Sequence, residues 1–315
     1  MSKCLYCYKE LNDNQIDYHS KCSKAFYGTA IPPVLPYRLE DMEKLAKDAI
    51  ELSVSVPGVQ PKLSLGWIKS VLENGHDSRL TIMDALNGNY ILKPQNQQFK
   101  QMPENEHLSM KLAELFKIET VPSNMIRLAS GELCYITKRI DRKNNGSKIH
   151  MIDFLQILEL EDKYMGTMEM LGKNIGELSV NTLLDKVRFF EITLFNFVIG
   201  NNDMHLKNFS MWLSDIGWTL SPAYDLLNVK IILPKDDEDI ALVFGGKKKN
   251  FNKGYFDRFG DILQLNPRQI NQAYRRLGLW LPQAIEIIEN SFLQENSKKL
   301  YKELISIRTR LFTSL

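Results

Sequence analysis

The hydrophobic period of the chain changes part-way along. Residues 38–52 place Leu39, Met42, Leu45, Ala46 and Ile50 near a 3.6-residue spacing, which predicts an amphipathic helix. Short apolar and alternating runs then predict strands at 62–69, 79–84 and 89–93, with turn signals at Asn74-Gly75 and Asn87-Gly88 between them. Pro103 opens a predicted helix to about Phe116, with Leu108, Leu112 and Leu115 on one face. Two more strands, 124–129 and 132–138, join at Ser130-Gly131. From residue 151 the pattern turns helical, with predicted helices at 151–160 and 180–198, the second long, apolar and ended by Gly200. A hairpin (209–213 with 218–221), a short strand at 240–245 and helices near 254–264, 267–277 and 282–311 complete the reading. Asn266-Pro267 with Gln269 reads as a capped helix start.

A β-rich half followed by a helical half predicts an α+β fold of two lobes, 28–140 and 141–315, with a ligand cleft expected between them. The 315 residues are 44% hydrophobic and 25% charged, which excludes a disordered chain, a collagen-like repeat and a disulfide miniprotein. The net charge of +2 lacks the basic excess of a protein that binds nucleic acid through bulk charge. No apolar run reaches membrane-spanning length, and the opening MSKCLYCYKE has charges and cysteines where a signal peptide needs an apolar segment. The expectation is a cytoplasmic protein with no membrane partner.

Three of the four cysteines crowd the first 22 residues as C-x2-C-x11-H-x2-C, formed by Cys4, Cys7, His19 and Cys22. In a reducing compartment this clustering suggests metal binding more than disulfides. Three thiolates and one imidazole suit tetrahedral zinc in a closed, structural site, so residues 1–27 are expected to form a small zinc-ribbon-like module. The alternative is a metal-free module of reduced cysteines with a surface histidine. The fourth cysteine, Cys134, lies on a predicted strand and reads as a buried apolar residue.

The segment Gly200-Asn201-Asn202-Asp203-Met204-His205-Leu206-Lys207-Asn208 carries the most chemistry. Asp203 and Asn208 have the D-x-x-x-x-N spacing of a protein-kinase catalytic loop, where Asp accepts the hydroxyl proton and Asn holds magnesium. Asp225 follows Asn208 after a hairpin pattern, the order in which a second metal carboxylate returns to such a site. Upstream, Lys93 ends an apolar strand and suits nucleotide phosphates, with Glu106 on the next helix as its partner. The stretch 53–62, SVSVPGVQPK, precedes the first strand, where a phosphate-covering loop would sit, although its two prolines remove backbone donors. Each residue also has a plainer reading. Asn and Asp serve as turn residues or caps, Lys93 as a solvated strand end, and Glu106 as a complement to a helix N-terminus. The run from Gly245 to Lys249 suits a phosphate or, more simply, a solvated loop.

Taken together, SVSVPGVQPK, YILKP, ENEH, KRIDR, IGNNDMHLKNFS and LSPAYDLL, in this order, resemble the HipA family of serine/threonine kinase toxins. The resemblance implies a two-lobed protein-kinase-like fold and an ATP- and magnesium-dependent activity. It implies Asp203 as catalytic base, with His205 and Lys207 in the catalytic loop and Lys207 facing the transferred phosphate. It implies Asn208 and Asp225 as magnesium ligands, and Lys93 with Glu106 at the ATP phosphates. Gly58 falls in the loop over the nucleotide, and the backbone from Lys138 to Ile140 at the hinge that holds adenine. Ser55, with Ser53 nearby, matches the autophosphorylated serine of that loop, while Pro57 stands where short relatives have another serine. Only about fifty residues precede the loop, which resembles the short, HipT-like forms. The implied substrate is a translation component of the aminoacyl-tRNA synthetase class. The implied partners are a helix-turn-helix antitoxin, through which alone DNA would be engaged, and a small HipS-like protein. Two other functions fit the same residues: a small-molecule phosphotransferase of kinase-like fold, and a non-catalytic scaffold or co-repressor.

Overall fold

The computed structural model describes residues 2–42, 63–69, 78–82, 88–96, 98–143 and 147–313. The expected helix 38–52 is seen as helix over 39–42; its remainder, and the stretch 53–62, lie outside the described residues. The chain divides into two compact units. The first comprises residues 1–107, 121–147 and 290–292, and the second 108–120, 148–289 and 293–315.

The first unit opens with α1 (Ser20–Tyr27), whose last turn is closed by Gly28 in the left-handed conformation. It then forms a five-stranded antiparallel sheet from β1 (Leu63–Lys69), β2 (Ser78–Ile82), β3 (Tyr90–Lys93), β4 (Ser123–Arg127) and β5 (Leu133–Lys138), in the order β2-β1-β3-β5-β4. β3 lies inside the sheet, pairing Tyr90 with Lys138 and Lys93 with Tyr135 on β5. A buried Leu92, Met125, Cys134 and Ile136 supply its core. Cys134 is fully buried, as its apolar setting predicts, and burial pushes its thiol up to about 12. Helix α2 (Met102–Leu115) follows β3 and contributes Glu106 and His107 to this unit.

The second unit is built around α5 (Thr182–Ile199), which is apolar nearly all round and therefore central. Phe189, Phe190, Phe195 and Phe197 meet Phe259, Tyr274, Trp280 and Phe256 from the later helices. Its first turn is tied down by Asp185, fully buried, which accepts from Ser179 Oγ (2.6 Å), Arg188 (3.0 Å) and the Leu220 amide (2.7 Å). A three-stranded antiparallel sheet of β6 (Met151–Asp153), β7 (Ser210–Ser214) and β8 (Gly217–Leu220) accompanies it. The remaining helices are α3 (Phe154–Ile157), α4 (Met168–Leu178), α6 (Lys253–Ile262), α7 (Pro267–Asn290) and α8 (Glu295–Thr313). Among the described residues, no helix is long and apolar enough to cross a membrane.

Three expectations are corrected, and one helix is added. The helix predicted over 151–160 is a strand followed by one helical turn, because Asp153 is the N-cap and starts the helix only at Phe154. Its carboxylate accepts from the Gln156 amide at 3.0 Å while the Gln156 side chain accepts from the Asp153 amide, a capping box. Before that cap, residues 151–153 pair with β7. Residues 240–245 form no strand; Val243 and Phe244 make isolated bridges to Thr167 and Lys247 only. Pro282 does not begin a helix but sits inside α7, whose buried face runs from Ile270 through Leu277 and Trp280 to Ile288 without interruption. Packing on both sides of the proline outweighs the loss of one backbone donor. The chain breaks instead after Asn290. Helix α4, with buried Met168, Leu171 and Ile175, was not anticipated, because two glycines interrupt its pattern.

Candidate functional site

In the second unit, α5 ends at Gly200 with φ 78° and ψ 30°, and the loop 201–209 leaves from there. The left-handed cap turns the chain sharply, and a Cβ at this position would meet Leu304 Cδ2 at 2.6 Å. Asn201 fastens the loop base, donating to Asn196 Oδ1 (2.8 Å) and accepting from the Asp203 amide (3.3 Å). Asn202 donates to the Glu238 carbonyl at 2.9 Å. A 3₁₀ turn over Leu206–Asn208 then brings Asn208 back, so that its Nδ2 donates to the Asp203 carbonyl at 3.1 Å. That bond fixes the amide and leaves Oδ1 as the atom it offers to a cation.

The half-buried Asp203 carboxylate accepts a 2.7 Å hydrogen bond from the Tyr164 hydroxyl. Burial, then Asp203 itself, raises the Tyr164 phenol well above its ordinary value, so it stays a donor. The Tyr164 ring stands edge-on to His205, with centroids 5.4 Å apart. His205 is buried, and its Nδ1 has no hydrogen-bond partner among the described residues. Desolvation lowers its pKa, with Lys163 acting in the same direction and the Asp203 and Asp225 carboxylates opposing. The two carboxylates thus share one neighbourhood. Asp225 has φ 61°, a conformation Asp tolerates better than most residues and one that recurs at functional sites. Its neighbour Tyr224 donates to the Lys207 carbonyl at 2.9 Å and meets Ser210 Oγ at 2.5 Å, tying the Asp225 segment to the loop. Tyr164 and Tyr224 were not singled out from the sequence; a lone tyrosine in a loop carries no spacing signal.

In the first unit, Lys93 at the end of β3 meets Glu106 of α2 at 2.6 Å, and both are buried, 5% and 2% exposed. Lys93 Nζ also lies 5.4 Å from the Tyr135 ring centroid. Lys138 ends β5, with Nζ 5.3 Å from the Phe26 ring, and burial lowers its pKa. Ile140 lies in the half-buried turn that follows. The adjoining Asp141 is gripped by Arg139 (2.9 and 2.6 Å) and Arg142 (2.6 Å). Burial would raise the Asp141 carboxyl, but the two guanidinium groups outweigh it and hold the carboxyl below its usual value. Gly58, Ser53 and Ser55 lie outside the described residues.

The four residues of the N-terminal module converge. The ligand atoms of Cys4, Cys7, His19 and Cys22 all lie within 4.8 Å of one another. His19 Nδ1 is 3.5 Å from Cys7 Sγ and 3.7 Å from Cys22 Sγ. A tetrahedral zinc with Zn–S of 2.3 Å separates its ligands by about 3.8 Å, so the donor set fits such an ion. The outer nitrogen agrees. His19 Nε2 donates to the Glu10 carbonyl at 2.9 Å, which in the neutral ring turns the Nδ1 lone pair toward the thiols. Burial, then the neighbouring Cys4 and Cys7 thiols, pushes the Cys22 thiol up to about 12.

The described elements form a mixed helix-and-sheet fold. Residues 54–285 match the HipA-like C-terminal domain family, and the chain belongs to that family. It is 26% identical over 276 residues to a putative kinase of Haemophilus influenzae, covering 76% of each chain. It is 33% identical over 214 residues to the putative kinase Y4dM of Sinorhizobium fredii, covering 63% of this chain and 50% of that one. It is 28% identical over 202 residues to the serine/threonine-protein kinase toxin HipA of Shewanella oneidensis, covering 56% of this chain and 43% of the toxin. The chain thus spans half or less of the length of these last two relatives. Among solved structures, HipA in the Shewanella oneidensis MR-1 complex of HipA, HipB and operator DNA matches with TM-score 0.67 at 20% identity, over 84% of this chain and 70% of that one. The Helicobacter pylori proinflammatory kinase CtkA matches with TM-score 0.52 at 15% identity, over 71% and 87%. These two likenesses establish the fold.

Proposed function

We propose that the chain is an ATP- and magnesium-dependent serine/threonine protein kinase of the HipA type. Asp203 orients the acceptor hydroxyl and takes its proton. Asn208 Oδ1 and Asp225 hold magnesium, which offsets phosphate charge; Lys93, held by Glu106, does the same through its ammonium group. Lys207 faces the transferred phosphoryl group, and His205 shapes the loop between. The backbone at Lys138 to Ile140 receives adenine; by the family resemblance Gly58 belongs to the nucleotide-covering loop, and Ser55 or Ser53 is the autophosphorylation site. The rate enhancement comes mainly from positioning and electrostatics.

The observation that carries this reading is the Lys93–Glu106 pair, 2.6 Å long and buried on both sides. Burying two charges costs more than a well-packed apolar pair of the same volume, so stability alone gives little reason for it. A lysine held at the end of an inner strand by a helix glutamate is the phosphate-binding arrangement of kinases. The same reading takes the Cys4, Cys7, His19 and Cys22 cluster as a structural zinc site. A helix-turn-helix antitoxin, a small HipS-like protein and a translation component as substrate complete the proposed setting of a toxin–antitoxin pair.

The test is intact-mass and peptide mass spectrometry after incubation with magnesium-ATP, with Asp203→Asn alongside. Phosphate on Ser55 or Ser53 in the wild type alone supports the protein kinase. ATP turnover that rises with a small hydroxylated compound and leaves no phosphoprotein replaces it with a small-molecule phosphotransferase. No nucleotide binding by wild type, with Lys93→Ala indistinguishable, sinks the kinase reading.

A further inference from the structure

The two knuckles of the Cys3His cluster reach the two elements that hold the Lys93–Glu106 pair. His19 caps α1 and Cys22 lies in its first turn, so two ligands fix the start of this helix. One turn on from Cys22, on the same face, is Phe26, which is 2% exposed. The Phe26 ring lies 6.0 Å from Tyr90 and 5.3 Å from Lys138 Nζ. Tyr90 and Lys138 are direct partners across β3 and β5, and Lys93 ends that same β3. Tyr27 adds a second ring 6.4 Å from Tyr90, and the Tyr18 hydroxyl donates to the Met125 carbonyl of β4.

The other knuckle faces α2. Tyr8, one residue beyond Cys7, has φ 64° and so stands out from the Cys4–Cys7 turn. Its hydroxyl meets His107 Nδ1 at 2.8 Å, and the two rings are edge-to-face at 5.3 Å. His107 is the residue next to Glu106. Between the knuckles, Asp17 grips Arg127 of β4 through both carboxylate oxygens (2.9–3.2 Å). One ligand cluster thus reaches the strand of Lys93 through Phe26 and the helix of Glu106 through Tyr8.

We propose that metal held by Cys4, Cys7, His19 and Cys22 is a positioning element for the Lys93–Glu106 pair. A zinc-class ion sets the spacing of the two knuckles, Phe26 and Tyr8 pass that spacing to β3 and α2, and nucleotide affinity therefore depends on metal occupancy. This rests on the kinase reading only where nucleotide is the readout.

The experiment uses the full chain, reconstituted with zinc and, in parallel, stripped with a zinc-selective chelator. Elemental analysis gives the metal content, calorimetry the affinity for magnesium-ATP, and amide hydrogen exchange the local order. One zinc per chain is expected, with at least a tenfold weaker nucleotide affinity after stripping. Exchange is expected to speed up at residues 90–93 and 104–107 and to stay unchanged in α5. Because stripping could loosen the whole first unit, zinc-loaded Phe26→Ala and Tyr8→Phe are measured as well. Each is expected to keep its zinc yet bind nucleotide at least fivefold more weakly, and Phe26→Leu to recover most of the loss. The proposal is overturned if the reconstituted chain holds no stoichiometric zinc. It is also overturned if stripping and both variants leave affinity and exchange at 90–93 and 104–107 unchanged. Should zinc-loaded wild type bind no nucleotide, the kinase reading fails by itself, and exchange at those residues alone decides whether metal positions the pair.

Discussion

The Tyr164 hydroxyl donates a 2.7 Å hydrogen bond to Asp203 Oδ1, the bond an acceptor hydroxyl would make to a catalytic carboxylate. It holds the carboxylate in one orientation and, on the proposed kinase reading, leaves Oδ2 for the incoming substrate. A hydrogen bond to a charged group contributes about 1.5–3 kcal/mol, of which only part bears on orientation. Tyr164→Phe is therefore expected to lower kcat about five- to tenfold with little change in the KM for ATP. Steady-state kinetics with the phosphorylated acceptor checks it; unchanged or faster turnover would show that Tyr164 merely occupies the site.

The Lys93–Glu106 pair predicts an asymmetric pair of variants. Removing one member takes from the other buried charge the ion-pair partner it holds at 2.6 Å, a loss on the order of 3–5 kcal/mol. Glu106→Ala should lower the urea midpoint strongly, whereas Lys93→Met combined with Glu106→Leu should restore most of it while binding no nucleotide. A double variant that keeps nucleotide affinity would remove Lys93 from the phosphate site.

Gly200 makes a third prediction. Its φ of 78° disfavours any L side chain, and a Cβ would press on Leu304 at 2.6 Å and Lys230 at 3.0 Å. Gly200→Ala is expected to cost about 1–3 kcal/mol by denaturant unfolding, from the backbone conformation and the crowding together. Its loss of phosphoryl transfer should exceed what the unfolded fraction explains, because Gly200 aims the loop that carries Asp203.

These predictions differ in how far the sequence alone supports them. The positions of the strands along the chain, the cap at Asn266 with Gln269 and the loop after Gly200 rest on local rules, and local rules are visible in sequence. Asn266 accepts from the Arg268 and Gln269 amides at 3.0 Å, and Gln269 closes the box at 2.8 Å, as the dipeptide suggests. The Cys3His spacing was equally legible, since chelating pairs must be near in sequence. What stayed hidden is set by distant partners. The strand at 151–153 exists because β7 is there to pair with it, and Pro282 is carried within α7 by packing on either side. Tyr164 lies 39 residues from Asp203, and no spacing rule connects them.

His205 gives a pH dependence. Burial lowers its folded-state pKa below the ordinary value of 6.5, so the unfolded chain binds the proton more readily. The sign follows: its contribution to stability is fully present above pH 6.5 and is lost as pH falls toward the folded pKa. Asp203, Asp225 and Lys163 are the charged groups facing it. Wild type should lose stability between neutral and mildly acidic pH, and His205→Gln should flatten that slope. Equal slopes in urea titrations across that range would show that His205 carries no such linkage.

The N-terminal module also has a consequence in time. Its four ligands lie between residues 4 and 22, but the surfaces it rests on, at Tyr90, His107, Arg127 and Lys138, are more than sixty residues further along. At about 5–20 residues per second, a ribosome needs several seconds to supply them. During that interval the aromatic rings of Tyr8, Tyr18, Phe26 and Tyr27 have no sheet to cover. Metal captured early would hold these rings in place while the rest of the unit emerges, so zinc supply at the moment of synthesis would govern the yield of folded protein.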